Sequence, residues 1–159
     1  MSQRLNYFQA APAVAKAYQA FSQAVKASSL EPGLLHLVDL RASQINGCAF
    51  CVDMHVKEAR LHGERELRLH HVTVWRESHL FSARERAALE WTETLTRLDG
   101  KPVPDAAYEA ASAQFSDAEL SELTFAIMAI NGWNRASIAF ASVPGALDSV
   151  YGLDKAGLN

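Results

Sequence analysis

The sequence predicts an all-α fold, a compact helical domain of six to seven helices. Apolar residues recur at three- and four-residue intervals along most of the 159 residues, and we find no stretch with the two-residue alternation, bounded by turns, that marks a strand. The composition, 49% hydrophobic and 21% charged with few prolines and glycines, is typical of a globular protein with one core. We therefore expect residues 1–159 to form a single domain.

Turn and capping signals divide the first half of the chain into helices. A first helix is predicted over residues 13–27, and Pro32 then opens a second helix that ends at Asn46-Gly47. A third helix starts at or just after this break and runs to Gly63, a residue suited to the left-handed position after a helix. Residues 64–75 predict a further helix.

Two capping boxes mark the helices of the second half. Ser82 with Glu85, and Ser116 with Glu119, each open a helical run, and a short helix is expected over 104–115 between them. The run after Ser116 is apolar on most sides, which predicts a buried helix. The remaining C-terminal residues are mixed in character, so we expect them either to fray or to pack on a neighbouring subunit.

Charge and hydropathy exclude several classes of function. The formal net charge is −3, and the basic residues are scattered among acidic ones, so the basic stripe that nucleic-acid binding needs is missing. The N-terminal segment has no apolar leader, and the longest apolar stretch, residues 125–130, is far too short to span a membrane. We therefore expect a cytoplasmic protein that binds neither nucleic acid nor membrane.

The only two cysteines lie three residues apart in the motif Cys48-Ala-Phe-Cys51, and His55 follows four residues later. A disulfide between them would close too small a loop to constrain the unfolded chain, so the pair suits redox or metal chemistry better than scaffolding. On a helix all three side chains share one face, with His55 one turn from Cys51 but two turns from Cys48. This face is the candidate site.

The two thiols have different reasons to be acidic. A thiol reacts as the thiolate, and its pKa falls beside a histidine or at a helix N-terminus. Cys48 gains most from the helix end, whereas Cys51 gains from His55, which can also give a proton to a departing oxygen. We therefore assign Cys51 as the nucleophile and Cys48 as the resolving cysteine.

The same motif allows other interpretations. A thioredoxin-type fold requires a strand before the motif, and the preceding residues predict a helix, which argues against that fold. A zinc site could combine Cys48, Cys51 and His55 with His36 as fourth ligand, although the two-turn gap between Cys48 and His55 makes one shared ion difficult. Two buried cysteines and a core histidine would give the same pattern without any chemistry.

The stretch from Leu40 to His55, with Ala59 and Gly63 beyond it, resembles the core of the alkylhydroperoxidase D family, part of the carboxymuconolactone decarboxylase superfamily. Further similarity to the one-domain branch of that family lies in Trp75, Leu80-Phe81-Ser82, residues 84–89 and Asn131-Gly132-Trp133-Asn134-Arg135. The resemblance implies an all-α fold that assembles into homo-oligomers, often trimers or hexamers. It also implies a peroxidase that reduces hydroperoxides through the cysteine pair, which an external dithiol re-reduces.

The resemblance also implies roles for single residues. In the family pattern the second cysteine, here Cys51, attacks the peroxide, Cys48 resolves, and the histidine matching His55 belongs to a proton relay. The pattern has a glutamate twelve residues before the first cysteine, where this sequence has His36. An imidazole can pass protons, with an ordinary pKa of about 6.5 rather than about 4.3, but it cannot supply a carboxylate's negative charge to His55. His36 is thus either a member of the relay or a buried or interface histidine with no catalytic part.

The sequence therefore predicts a thiol peroxidase that needs no bound cofactor or metal. Cys51 attacks a hydroperoxide, His55 assists proton delivery to the leaving oxygen, and Cys48 condenses with the resulting sulfenic acid. An external dithiol then reopens the disulfide. The alternative is a redox-responsive or structural family member with weak or no peroxidase activity.

Aromatic and polar residues elsewhere in the predicted helices have simpler interpretations. Trp75, Trp91 and Trp133 could line a hydroperoxide pocket, but we expect them in the core, where aromatic residues at helical spacing usually lie. Asn131 and Asn134 stand in an otherwise apolar helix, and buried polar groups need partners. These asparagines therefore predict a polar network between helices or between subunits.

Overall fold

The computed structural model describes residues 2–158, so the terminal positions 1 and 159 of the predicted domain lie outside the described residues. All regular secondary structure in this range is helical, which confirms the predicted class. The nine α-helices of the described chain are α1 (Tyr7–Ala10), α2 (Pro12–Lys26), α3 (Pro32–Asn46), α4 (Ala49–Leu61), α5 (Glu66–His71), α6 (Ala83–Thr96), α7 (Asp105–Ser112), α8 (Asp117–Ala139) and α9 (Asp148–Tyr151). Two 3₁₀ helices cover Val72–Val74 and Leu153–Ala156.

Short helices explain why nine α-helices are present where six to seven were predicted. α1 and α9 have only four residues each, too few for a repeating apolar pattern in the sequence. The helix predicted over 64–75 is also shorter than expected. It consists of α5 followed directly by the 3₁₀ helix Val72–Val74.

The sequence signals for helix ends are confirmed. α3 begins at Pro32 and ends at Gly47, whose φ of 68° lies in the left-handed region that glycine adopts without steric cost. Both predicted capping boxes form, at Ser82 before α6 and at Ser116 before α8. Cys48 is the N-cap of α4, so only Gly47 and Cys48 lie between the end of α3 and the start of α4.

α3 is the central helix of the fold. It packs against α4, α6 and α8, and its residues Leu37, Val38 and Leu40 are completely buried. One core cluster lies where α3 meets α6, α7 and α8 and contains Trp91. A second lies where α3 meets α4, α5 and α6 and contains Trp75. The core positions predicted for these two tryptophans are confirmed.

α8 is less buried than its sequence predicts. It packs against α2, α3 and α6, but Phe125, Met128 and Ile138 on its outer face are about half exposed. α8 therefore carries exposed apolar side chains on the surface of the protomer. The homo-oligomer implied by the family resemblance stays a prediction.

The C-terminal segment packs on its own chain, so the expectation that it frays is wrong, while its contact with a neighbouring subunit stays a prediction. The 3₁₀ helix Leu153–Ala156 lies against α4. Lys57 of α4, which is almost fully buried, pairs with Asp148 at 2.6 Å and with Asp53 at 3.0 Å. This ion pair fastens the segment at a position that a local sequence pattern does not reveal.

Within the described part of the chain, we find no helix with the length and apolar character needed to cross a membrane.

Candidate active site

The turn between α3 and α4 places both cysteines inside the protein. The backbone N–H of Cys51 donates a hydrogen bond to Cys48 Sγ at 3.4 Å, as expected for an N-cap side chain. Both residues are free thiols, and they are only 2% and 1% exposed. The predicted position of Cys48 at the helix end is confirmed, and the pair is sheltered from bulk solvent.

Cys48 is the more acidic thiol of the pair. The hydrogen bond from the Cys51 thiol, together with the Cys51 backbone N–H, outweighs burial and lowers the pKa of Cys48 to about 7. The pKa of Cys51 is raised, first because its thiol donates to Cys48 and then because it is buried. The pair therefore loses its first proton at Cys48.

Asn134 of α8 joins the cysteine pair to α3. It is completely buried, accepts a hydrogen bond from Asn46 Nδ2 at 2.8 Å and donates to Ser43 Oγ at 3.0 Å. Asn134 also hydrogen-bonds both sulfurs and acts to lower the pKa of each thiol. The polar network predicted for this helix therefore exists between helices, and it lies directly beside the cysteines.

A cavity of about 430 Å³ lies next to Cys51. Cys51 and His55 are among the described residues that line it, and Cys48 is not. Most of the remaining wall is apolar, and its aromatic side chains are Tyr7, Phe8, Phe50, Trp133 and Tyr151. The prediction that Trp133 belongs to the core is therefore wrong, because its ring faces this cavity. The volume and the apolar wall are suited to a small organic molecule.

His55 lies on the cavity wall with its two ring nitrogens in different surroundings. Nδ1 is 3.2 Å from Glu58 Oε2 and 3.8 Å from Asp39 Oδ2, so only Glu58 is within hydrogen-bonding distance. Nε2 is buried and has no hydrogen-bond partner among residues 2–158. One ring nitrogen is thus held by the protein, and the other is unpaired within the described residues.

Glu58 brings a negative charge to the cavity wall. Burial would raise the pKa of Glu58, but the hydrogen bond from His55 and the ammonium of Lys26, at 2.6 Å, hold that pKa below its usual range. Burial raises the pKa of Asp39, the more distant carboxyl. Our sequence analysis missed Glu58. The available signal was its place three residues after His55, on the same helix face.

His36 lies outside the cavity lining as far as the described residues define it. Its ring packs against that of His62 with 4.8 Å between centroids, and burial lowers the pKa of His36 to about 4. The ring is therefore neutral at pH 7. Within residues 2–158, no three or more His, Cys, Asp or Glu side chains are grouped as a metal site would require, and this includes the zinc set weighed above.

Comparisons with known proteins agree with this fold. The model of the Carboxymuconolactone decarboxylase family matches residues 12–94. Uncharacterized protein YdfG of Bacillus subtilis (strain 168) is 39% identical over 142 residues, which are 89% of this chain and 97% of YdfG. The crystal structure of a protein of unknown function, ATU0492 from Agrobacterium tumefaciens, is 46% identical with a TM-score of 0.88, covering 91% of this chain and 99% of its own.

A more distant structure shares the fold alone. It is an uncharacterized peroxidase-related protein from Ralstonia eutropha JMP134 with an alkylhydroperoxidase AhpD core. It is 20% identical with a TM-score of 0.77, and the match covers 87% of this chain and 74% of that protein. Because the family model spans more than half of the sequence, the chain belongs to the carboxymuconolactone decarboxylase family and has an alkylhydroperoxidase D-like, all-α fold.

Proposed function

We propose that this protein is a thiol peroxidase that reduces hydroperoxides through Cys48 and Cys51 and is recycled by an external dithiol. The observation that best supports the proposal is that Cys51 and His55 line the same largely apolar cavity. Family membership and the fold shared with a peroxidase-related protein add support.

Access to the cavity supports different roles for the two cysteines. Cys48 has the lower pKa, but Cys51 is the thiol that a molecule in the cavity meets. Once it has lost its proton, Cys51 is the thiolate that faces the cavity. Cys51 is thus the peroxide-attacking residue, and Cys48 is the resolving residue.

The reaction then runs in three balanced steps. The Cys51 thiolate attacks the terminal oxygen of ROOH, the O–O bond breaks, and His55 gives a proton to the leaving RO⁻, which yields ROH and a sulfenic acid on Cys51. The Cys48 thiolate attacks that sulfur, forms the disulfide and expels hydroxide, which takes up a proton as water. An external dithiol reduces the disulfide by exchange and is itself oxidised to a disulfide.

The test adds one equivalent of cumene hydroperoxide to the reduced protein and follows free thiols and intact mass. We expect the wild type to lose two thiols and the Cys48→Ser variant to gain one oxygen atom at Cys51. The matched Cys51→Ser variant should not react, and a dithiol should sustain turnover of the wild type only. If both wild-type thiols survive, or if they oxidise once and do not cycle, the proposal fails and a redox-responsive or structural role replaces it.

A further inference from the structure

We propose that Glu58 positions His55 for proton transfer and that Lys26 holds Glu58 in place. This inference rests on the proposed peroxidase function and adds two residues to its site. It assigns to α4 itself the carboxylate that acts on His55, since Glu58 lies one helical turn beyond the histidine.

Glu58 determines which tautomer His55 adopts. A carboxylate can only accept hydrogen bonds, so Glu58 Oε2, at 3.2 Å, keeps a hydrogen on Nδ1 of His55. A neutral His55 then has a bare Nε2, the ring atom that has no partner among the described residues. Glu58 thus leaves free the nitrogen that must exchange protons at the cavity.

This tautomer lets one ring serve two steps of the reaction. The bare Nε2 accepts the proton of the Cys51 thiol, which gives a thiolate and an imidazolium. The imidazolium then gives that proton to RO⁻ as the O–O bond breaks, so the ring carries one proton from the thiol to the leaving oxygen. Through both steps His55 Nδ1 keeps its hydrogen and donates it to Glu58, whose negative charge stabilises the imidazolium between the two steps.

Lys26, Glu58 and His55 form a chain of contacts that runs from the surface to the cavity. The exposed fractions of the side chains fall from 55% for Lys26 to 19% for Glu58 and 4% for His55. Lys26 Nζ lies 2.6 Å from Glu58 Oε1, so each Glu58 oxygen has its own partner. The two contacts fix the carboxylate from both sides, which a positioning residue requires.

Asp39 is the rival carboxyl for this role. It approaches the same Nδ1 but stays at 3.8 Å, beyond hydrogen-bonding distance. The variants Glu58→Gln and Asp39→Asn therefore separate the two residues. Glu66→Gln is the matched control, because Glu66 faces His70 at 3.8 Å on the exposed surface of α5, away from the cavity.

Two readouts test the inference independently. Nitrogen-15 NMR of the histidine rings reports which nitrogen of neutral His55 carries the hydrogen, and it requires no peroxidase activity. We expect the Nδ1–H form in the wild type and its loss in Glu58→Gln. The second readout is the rate of thiol loss with cumene hydroperoxide, which should fall about tenfold or more in Glu58→Gln, much less in Asp39→Asn, and not at all in Glu66→Gln.

The outcomes separate this inference from the function on which it rests. If the wild-type thiols do not react but the tautomer responds to Glu58→Gln, the peroxidase function fails and the positioning of His55 by Glu58 stands. An Nε2–H ring in the wild type overturns the inference without any variant. The inference is also overturned if Asp39→Asn lowers the rate of thiol loss more than Glu58→Gln does.

Discussion

Two groups of buried charged side chains lie on opposite sides of α3, and they differ in how fully their polar atoms are paired. Arg41 of α3 joins one group, while Asp39, about 200° around the same helix, faces the cavity. In the first group Glu93 accepts hydrogen bonds from Arg41 Nε at 2.8 Å, Trp75 Nε1 at 2.8 Å and Arg76 Nη1 at 2.7 Å.

The cavity group is incomplete by comparison. His55 is held at Nδ1 by Glu58, but His55 Nε2 and, nearby, His36 Nε2 are buried with no partner among residues 2–158. A buried polar atom without a partner costs free energy, so a stable fold leaves few of them. The contrast indicates that the Glu93 group stabilises the fold, and the proposed function gives the unpaired His55 nitrogen a part in the reaction.

Removing Glu93 should give the largest loss of stability. In Glu93→Ala the guanidinium of Arg41 stays buried without its counter-ion, and we expect the free energy of unfolding to fall by about 3–5 kcal/mol. Urea denaturation at pH 7 measures this loss. The matched control is Glu90→Ala, since Glu90 pairs with the same Arg76 on the exposed side of α6 and should cost under about 1 kcal/mol. Equal losses in the two variants would contradict the comparison.

Contacts between residues close in the sequence could be predicted, whereas contacts between distant residues could not. Cys51 and His55 share a face of α4, and Cys48 caps the same helix, so their proximity could be predicted from the spacing alone. Lys26 comes from α2 and reaches Glu58 only through packing of α2 against the rest of the fold. The spacing of residues within α4 gives no information about the contact between Lys26 and Glu58. It did indicate that Glu58 lies near His55.

The C-terminal segment shows the same limit. Its residues have no helical period that would assign them to a surface, and the pair between Lys57 and Asp148 spans 91 residues of sequence. Trp133 was assigned to the core for a related reason. Spacing shows that a side chain faces inward, but it does not distinguish a packed core from the wall of a cavity such as the one that Trp133 lines.

The acidity of Cys48 should depend mainly on its neighbour and less on the helix end. Because the Cys51 thiol is the main cause of the lowered pKa of Cys48, Cys51→Ala should raise that pKa from about 7 toward 9.0. Ultraviolet absorbance of the thiolate against pH measures the change. The reciprocal variant, Cys48→Ala, should lower the pKa of Cys51 toward 9.0. A Cys48 pKa that stays near 7 in Cys51→Ala would instead assign its acidity to the helix N-terminus.

The smallest effect on stability is expected at His36, which tests whether every unpaired atom near the cavity serves the reaction. His36 is buried and its ring is neutral at pH 7. The variant His36→Leu removes the unpaired Nε2 and replaces the ring with an apolar side chain of similar size. We expect the free energy of unfolding at pH 7 to rise by about 1 kcal/mol. The rate of thiol loss with hydroperoxide should stay that of the wild type.

The pH dependence of stability sharpens this prediction. The pKa of His36 is 6.5 in the unfolded chain and about 4 in the folded protein. Between pH 6.5 and 4 the unfolded chain therefore binds a proton at His36 and the folded protein does not. The contribution of the neutral His36 ring to the free energy of unfolding is complete above pH 6.5, and it is lost as the pH falls from 6.5 to 4. His36→Leu should remove this part of the slope, whereas the exposed His70→Leu should keep it. If His36→Leu instead slows thiol oxidation with its fold intact, then His36 takes part in proton transfer, and unpaired nitrogens on both histidines belong to the reaction.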